Sequence, residues 1–329
     1  MMRRREFITL LGGAALAWPL AARAQQPALP VVGFISGSSR EMAAERPAAF
    51  RKGLAEAGFV EGQNVTVEYH WLDGQYEQLP ALVADLVRRR VAVIATPGSL
   101  AGALAAKAAT NTIPIVFGVA EDPVKLGLVP SLSRPGGNAT GTNFFFTELT
   151  VKRLALLHEL LPGAVRVAVL INPAGTSTAE SLLRDLPEAA RALGLQIQVL
   201  NASTREEIEA AFGGLTRSPV DALFIMNDAF FESRRVQLVI LATRLGIPTV
   251  VPGRSGVEAG LLMSYGPDII DTYRQVAFYA GRILKGERPA DLPVIQSSKF
   301  ELVINLQTAR ALGIKVPLAL LDTADEVIE

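Results

Sequence analysis

Short apolar runs alternate along the chain with longer stretches whose apolar positions recur every three or four residues. Val31-Val-Gly-Phe-Ile reads as a buried strand, and 43–59 reads as a helix closed by Gly58. Val65-Thr-Val-Glu-Tyr alternates as a strand, and 76–90 sets Leu79, Leu82, Val83, Leu86 and Val87 on one helical face. Val91-Ala-Val-Ile, a small-residue helix over Leu100–Ala109 and Ile113-Pro-Ile-Val-Phe complete the series. Strands separated by helices of this length predict βαβ units and a parallel sheet.

The second half repeats the series. A helix over 151–161 leads to Val167-Ala-Val-Leu-Ile, and a helix over 181–193 ends at Gly194 before Ile197-Gln-Val-Leu. An acidic helix over 205–212, Asp221-Ala-Leu-Phe-Ile, a helix over 234–245 and Ile247-Pro-Thr-Val-Val follow. Counted from Val31, the strand starts Val65, Val91 and Ile113 lie 34, 60 and 82 residues on. Counted from Val167, Ile197, Val220 and Ile247 lie 30, 53 and 80 residues on. Two four-strand blocks of nearly one spacing predict two similar lobes. Pro114 and Pro248 stand at matching places, each at the second position of a strand, where a missing N–H is tolerated.

Composition narrows the class. At 329 residues, half of them hydrophobic and 19% charged, the chain suits two globular α/β domains. The formal charge is zero and the basic runs are no longer than the three arginines at 3–5 and at 88–90, which argues against nucleic acid as a partner. Arg3-Arg-Arg-Glu-Phe-Ile, the apolar stretch 8–20 and Ala22-Arg-Ala24 have the three parts of an export signal. The paired arginines fit the twin-arginine type, although Arg3 replaces the usual Ser or Thr and leaves the general secretory route open. Cleavage after Ala24 removes four arginines and one glutamate and leaves a charge of −3. The chain has no cysteine, so disulfides, thiol catalysis, cysteine metal sites and a lipid anchor on a mature N-terminal cysteine are excluded. The expected product is a free periplasmic monomer without a cofactor.

Ligands of parallel α/β sheets bind beyond the carboxyl ends of the strands. There the first half reads Ser36-Gly-Ser-Ser, Thr96-Pro-Gly-Ser99 and Gly118-Val-Ala-Glu-Asp122. The second half reads Asn172-Pro-Ala-Gly-Thr, Asn227-Asp228 and Gly253-Arg-Ser. Hydroxyls and helix N-termini suit a carboxylate, and Asp suits an ammonium group. The same residue types also cap helices, and Asp122-Pro123 has the form of a cap followed by Pro at the first helical position. Phe144-Phe-Phe146 and Tyr265 fit either a cleft wall or a core. No nucleophile elbow, phosphate loop or dinucleotide fingerprint occurs, and the two histidines, His70 and His158, have no partners in the pattern.

Several stretches together resemble the ABC-transporter substrate-binding proteins, in the tryptophan/tyrosine-type branch of the type I periplasmic binding proteins. They are Val31-Val-Gly-Phe, Glu61-Gly-Gln-Asn-Val, Ala95-Thr-Pro, Ile113-Pro-Ile-Val-Phe and Asp122-Pro-Val-Lys-Leu-Gly-Leu-Val. Pro135-Gly-Gly-Asn-Ala-Thr-Gly, Gly260-Leu-Leu-Met-Ser-Tyr-Gly and Phe300-Glu-Leu-Val-Ile-Asn continue the set over the whole mature chain. The resemblance implies two Rossmann-like α/β lobes with parallel sheets, joined by three crossings near 144, 266 and 297. Lobe one would take 28–143 plus 267–296, and lobe two 144–266 plus 297–329, after the signal at 1–24. It implies a small polar or amino-acid-like ligand held by hinge closure and presented to a membrane permease. Ser36, Thr96 and Ser99 would be carboxylate donors, Asp228 the ammonium partner, and Asn172, Asn227 and Tyr265 supporting contacts, with Asp122 nearby. The run Asn227-Asp-Ala-Phe-Phe departs from the more polar Thr-Asp-Asn-Thr type, which bears on the ligand's identity, and Phe230 and Phe231 suit a pocket end or the packing behind it. A ligand-sensing module for a signalling receptor shares the fold, and an exported α/β hydrolase is the enzyme alternative.

Overall fold

The computed structural model describes residues 29–38, 45–73, 75–144, 149–173, 183 and 186–329. The expected export signal at 1–24 and Phe145 and Phe146 lie outside them.

Two sheets form. The first has the order β11-β5-β4-β3-β1-β2, built from β1 (Val31–Ser36), β2 (Thr66–Trp71), β3 (Val93–Pro97), β4 (Ile115–Val119), β5 (Ala139–Asn143) and β11 (Ile295–Gln296). The second has the order β13-β12-β10-β9-β8-β6-β7. Its strands are β6 (Arg166–Ile171), β7 (Gln196–Asn201), β8 (Ala222–Ile225), β9 (Thr249–Val251), β10 (Met263–Pro267), β12 (Phe300–Asn305) and β13 (Glu326–Ile328). The run β5-β4-β3-β1-β2 is matched strand for strand by β10-β9-β8-β6-β7, so the repeated spacing of the sequence is a repeated topology. Every pairing is parallel except β10 with β12, where the returning chain runs antiparallel.

Helices cover both faces of the first sheet. On one face α1 (Glu45–Glu56) sends Ala49, Phe50 and Leu54 against Val32, Phe34 and Val116. The other face meets α2 (Leu79–Arg88), through Val83 and Leu86, and α3 (Leu100–Ala109), through Ala103 and Ala106. The longest helix, α9 (Ile269–Leu284), follows β10 of the second sheet yet packs Tyr273, Val276 and Ala277 beside α1. Its approach is so close that a Cβ on Gly53 would lie 2.0 Å from the Arg274 carbonyl oxygen. The second sheet has one continuous core with α4 (Leu149–Leu160), α5 (Arg205–Leu215), α6 (Ala229–Ser233), α7 (Arg235–Leu245) and α8 (Arg254–Glu258) around it. Two short helices, α10 (Leu306–Ala311) and α11 (Leu318–Thr323), close the chain on that lobe.

The chain passes between the sheets three times, after β5, after β10 and after β11. These passages are tied together: Ser297 N–H donates to the Asn143 carbonyl at 2.8 Å and Asp268 N–H to the Lys299 carbonyl at 3.1 Å. An ion-pair network reinforces the spot. Asp271 at the start of α9 is held by Arg274 and Gln275 of the same helix and lies 3.6 Å from Lys299, while Arg274 also reaches Glu56 of α1.

Three strands start two residues later than the apolar runs predict. β3 begins at Val93, β4 at Ile115 and β9 at Thr249. Pro114 and Pro248 therefore stand just before their strands, where neither needs an N–H. Each offers its carbonyl instead: Ile94 N–H donates to Pro114 at 2.9 Å, and Leu223 N–H to Pro248 at 2.8 Å.

Candidate functional site

The carboxyl ends of β1, β2, β3 and β4 form the working edge of lobe one. Ser36 ends β1, is 1% exposed, and lies with its Oγ 3.5 Å from the Tyr273 hydroxyl. Its Oγ also accepts Ser38 N–H at 3.3 Å. Trp71 ends β2 directly beside Ser36, stacked on Tyr69 and against Phe34. Tyr76, just before α2, brings its hydroxyl over Gly37, where an added Cβ would lie 2.9 Å from Oη. A side chain at this position would push the Tyr76 hydroxyl aside. Arg46, in the first turn of α1, donates to Ser38 Oγ at 2.6 Å and lies over the Tyr273 ring, 5.6 Å from its centroid.

The remaining lobe-one candidates are engaged locally or enclosed. Ser99 caps α3, its Oγ accepting Gly102 N–H at 3.2 Å. Asp122 accepts Val124 N–H at 2.8 Å and closes a local turn; no helix follows it, so the expected cap with Pro at the first helical position does not form. Thr96 has no exposed surface, and its Oγ1 is a buried hydroxyl without a hydrogen-bond partner. Thr142, on β5, has the same unsatisfied condition.

In lobe two the structure brings Asn172 and Asp228 together. Asn172 follows β6, and its Nδ2 donates to Asp228 Oδ1 at 3.0 Å while its Oδ1 accepts the Ser203 hydroxyl at 2.9 Å. Asp228 Oδ1 also accepts Phe230 N–H at 2.8 Å, so this side chain is the cap of α6. Asp228 Oδ2 has no hydrogen-bond partner among the described residues, and both Asn227 and Asp228 are part exposed. Phe231 is buried in the lobe-two core and Phe230 packs on it, ring centroids 5.5 Å apart. Tyr265 lies apart on β10, against Phe300, and no hydrogen bond joins it to the Asn172–Asp228 pair. Burial pushes its phenol up, the Asp325 charge adds to this, and the Arg153 charge opposes it. Arg153, fully enclosed below it, is brought down to about 9 by burial. Arg254 and Ser255, just beyond β9, are bound within their own lobe: Arg254 to Glu258, Glu301 and Glu326, and Ser255 to Glu232.

One electrostatic contact runs between the lobes at this edge. The Tyr76 phenol is pushed up by burial and, second, by the negative charge of Asp228. The Asp228 charge at the β8 exit thus acts on the hydroxyl above the β1 exit. Sequence reasoning missed Tyr76 and Arg46, although both stand in the segments that immediately follow β2 and β1. Among the described residues no group of three His, Cys, Asp or Glu side chains could hold a metal ion, and no helix is long and apolar enough to cross a membrane. His70 sits on β2, its imidazole shifted down by burial and back up by Glu68.

Known proteins share this architecture. Residues 29–328 match the family described as ABC transporter substrate binding protein. The tyrosine-binding protein of Clostridioides difficile (strain R20291) is 28% identical over 275 residues, which cover 81% of this chain and 76% of that protein. A conserved domain protein from Vibrio cholerae O1 biovar eltor superposes with a TM-score of 0.80 at 27% identity, over 91% of this chain and 99% of that one. An ABC domain in complex with L-Trp from Streptococcus pneumonia reaches a TM-score of 0.81 at 24% identity, over 92% and 100% of the two chains, a likeness of fold. The family match over nearly the whole described chain sets the hydrolase alternative aside. This chain belongs to the family of ABC transporter substrate-binding proteins, which bind a solute and do not transform it.

Proposed function

We propose that the ligand is an aromatic α-amino acid, held between the two strand-end edges by closure of the lobes about the three crossings. The observation that carries this reading is the Asp228 carboxylate, half exposed, with Oδ2 uncommitted and its charge felt by Tyr76 of the facing lobe. A carboxylate so placed suits an ammonium group. The tyrosine-binding relative and the L-Trp complex point to an amino acid with a large aromatic side chain. Trp71 and Tyr76 supply aromatic surface of the sort such a ring stacks on.

The lobes divide at 28–143 plus 267–296 and 144–266 plus 297–329. The chain is exported by the signal at 1–24, cut after Ala24, by the twin-arginine or the general secretory route. It works in the periplasm as a free monomer, without lipid anchor or nucleic acid, and hands its ligand to a membrane permease. The N-terminal arginines, the cysteine-free composition and the mature charge of −3 support this.

A thermal-shift screen of the mature protein with amino acids, aromatic acids, amides and purines tests the reading. Aromatic amino acids are expected to raise the melting temperature with concentration, since a ligand of the native state stabilises it as its excess over Kd grows. A shift with purines or amides and none with amino acids would overturn it.

A further inference from the structure

We propose that Arg46 is the lobe-one receptor for the ligand's carboxylate, so that the zwitterion is read by Arg46 on one side and Asp228 on the other. This rests on the amino-acid reading of the cleft given above. The inference starts from a guanidinium without a carboxylate among its described partners. Of the other part-buried arginines, Arg254 carries three carboxylates and Arg274 carries Asp271 and Glu56, while Arg235 donates to the Glu232 carbonyl and the enclosed Arg153 lies over the Phe224 ring. Arg46 is half buried and has none among the described residues; its partners are the Ser38 hydroxyl and the face of Tyr273. Withdrawing a charge from water without an opposite charge is costly, and the structure supports this one with a ring quadrupole and one neutral acceptor. A guanidinium has five N–H donors, and a single one is used.

Its surroundings hold it in place for a bidentate partner. Ser38, which accepts from Arg46, is itself held by its N–H to Ser36 Oγ, and Ser36 meets the hydroxyl of the same Tyr273 that carries the guanidinium. Serine, serine, arginine and tyrosine thus close a ring of contacts at the β1 exit. Gly37, between the two serines, lies under the Tyr76 hydroxyl, and that phenol senses Asp228. Arg46 stands at the β1 exit and Asp228 at the β8 exit, and no ion pair joins them, which leaves both for the two charges of an α-amino acid. Planar two-point recognition of carboxylate is what arginine does best. Ser36 acts here as a positioning residue, and the enclosed Thr96 is not needed.

The test is calorimetric titration of the wild type, Arg46→Met and Arg46→Lys with L-tryptophan and with tryptamine, which lacks the carboxylate. Arg46→Met is expected to weaken tryptophan by about 10- to 100-fold, the range of a charged hydrogen-bonded pair, and to leave tryptamine unchanged. Arg46→Lys should fall between, and the melting temperature of each unliganded variant checks its folding. Equal loss for both ligands, or none for tryptophan in a folded Arg46→Met, overturns the role of Arg46 while the amino-acid reading stands. If the wild type binds neither tryptophan nor tyrosine, that reading fails and takes the Arg46 role with it.

Discussion

At the scale of single residues, Asp228 has two functions that one substitution would confuse. Its Oδ1 caps α6 and braces Asn172, while its charge faces Tyr76. Asp228→Ala removes both and should cost about 1 kcal/mol of stability through the lost cap. Asparagine caps nearly as well, so Asp228→Asn should leave the unliganded melting temperature close to wild type yet weaken an ammonium-bearing ligand by about 10- to 100-fold. Calorimetry and thermal melts of the two variants check this, and full-strength binding by Asp228→Asn removes Asp228 from the site. Asp228 was legible in the sequence because it stands where a strand ends. The distinction between cap and ligand contact was not, since Ser99, of the same residue type, caps a helix and Asp122 closes a local turn. Arg46 was invisible for another reason. An arginine in the first turn of a surface helix reads as solvated, and only the contact with Tyr273, 227 positions away in sequence, shows it withdrawn.

Among elements, α1 and α9 carry the association that returns the chain to lobe one. Gly53→Ala would set a Cβ 2.0 Å from a backbone carbonyl oxygen, which cannot swing aside as a side chain could. Overpacking of this kind should lower stability by about 1–3 kcal/mol, read from the urea midpoint with the slope unchanged. The start of α9 also gives the protein an acid sensitivity. Burial pushes the Asp271 carboxyl up, but hydrogen bonds from Arg274 and Gln275, and the Arg274 and Lys299 charges, hold it below its ordinary value. A carboxyl depressed in the folded state adds stability above its unfolded value, about 3.9, and loses it as pH falls through the lower folded value. Wild type should therefore lose urea resistance below about pH 4, and Asp271→Asn should lose less over the same interval. Parallel curves for the two proteins would exclude Asp271 as a contributor. Most helices and the eight strands of the repeat were legible from periodicity. β5 was missed because Ala-Thr-Gly-Thr-Asn is buried at every position yet carries no apolar pattern, its hydroxyls and amide being enclosed between neighbours. β10 escaped because its Gly-Pro end reads as a turn, although it forms the parallel edge on which β12 returns.

For the whole molecule, the repeat seen in strand spacing is the feature from which function follows. Two lobes of one topology, joined by three crossings, suit opening and closing about those crossings. Ser297, Asn143, Asp268 and Lys299 tie those crossings side by side, which favours a hinge in which they bend as one unit. Saturating ligand should reduce the radius of gyration measured by X-ray scattering, and an unchanged radius would mean that the ligand does not close the lobes. The central claim is that this cleft takes an aromatic amino acid, and titration calorimetry of the mature protein with L-tyrosine and L-tryptophan tests it most directly. Saturable binding of at least one of them at one site per chain, weakened about 10- to 100-fold when Asp228 is replaced by Asn, is expected; absence of heat with either, up to millimolar ligand, would rule the aromatic amino acid out.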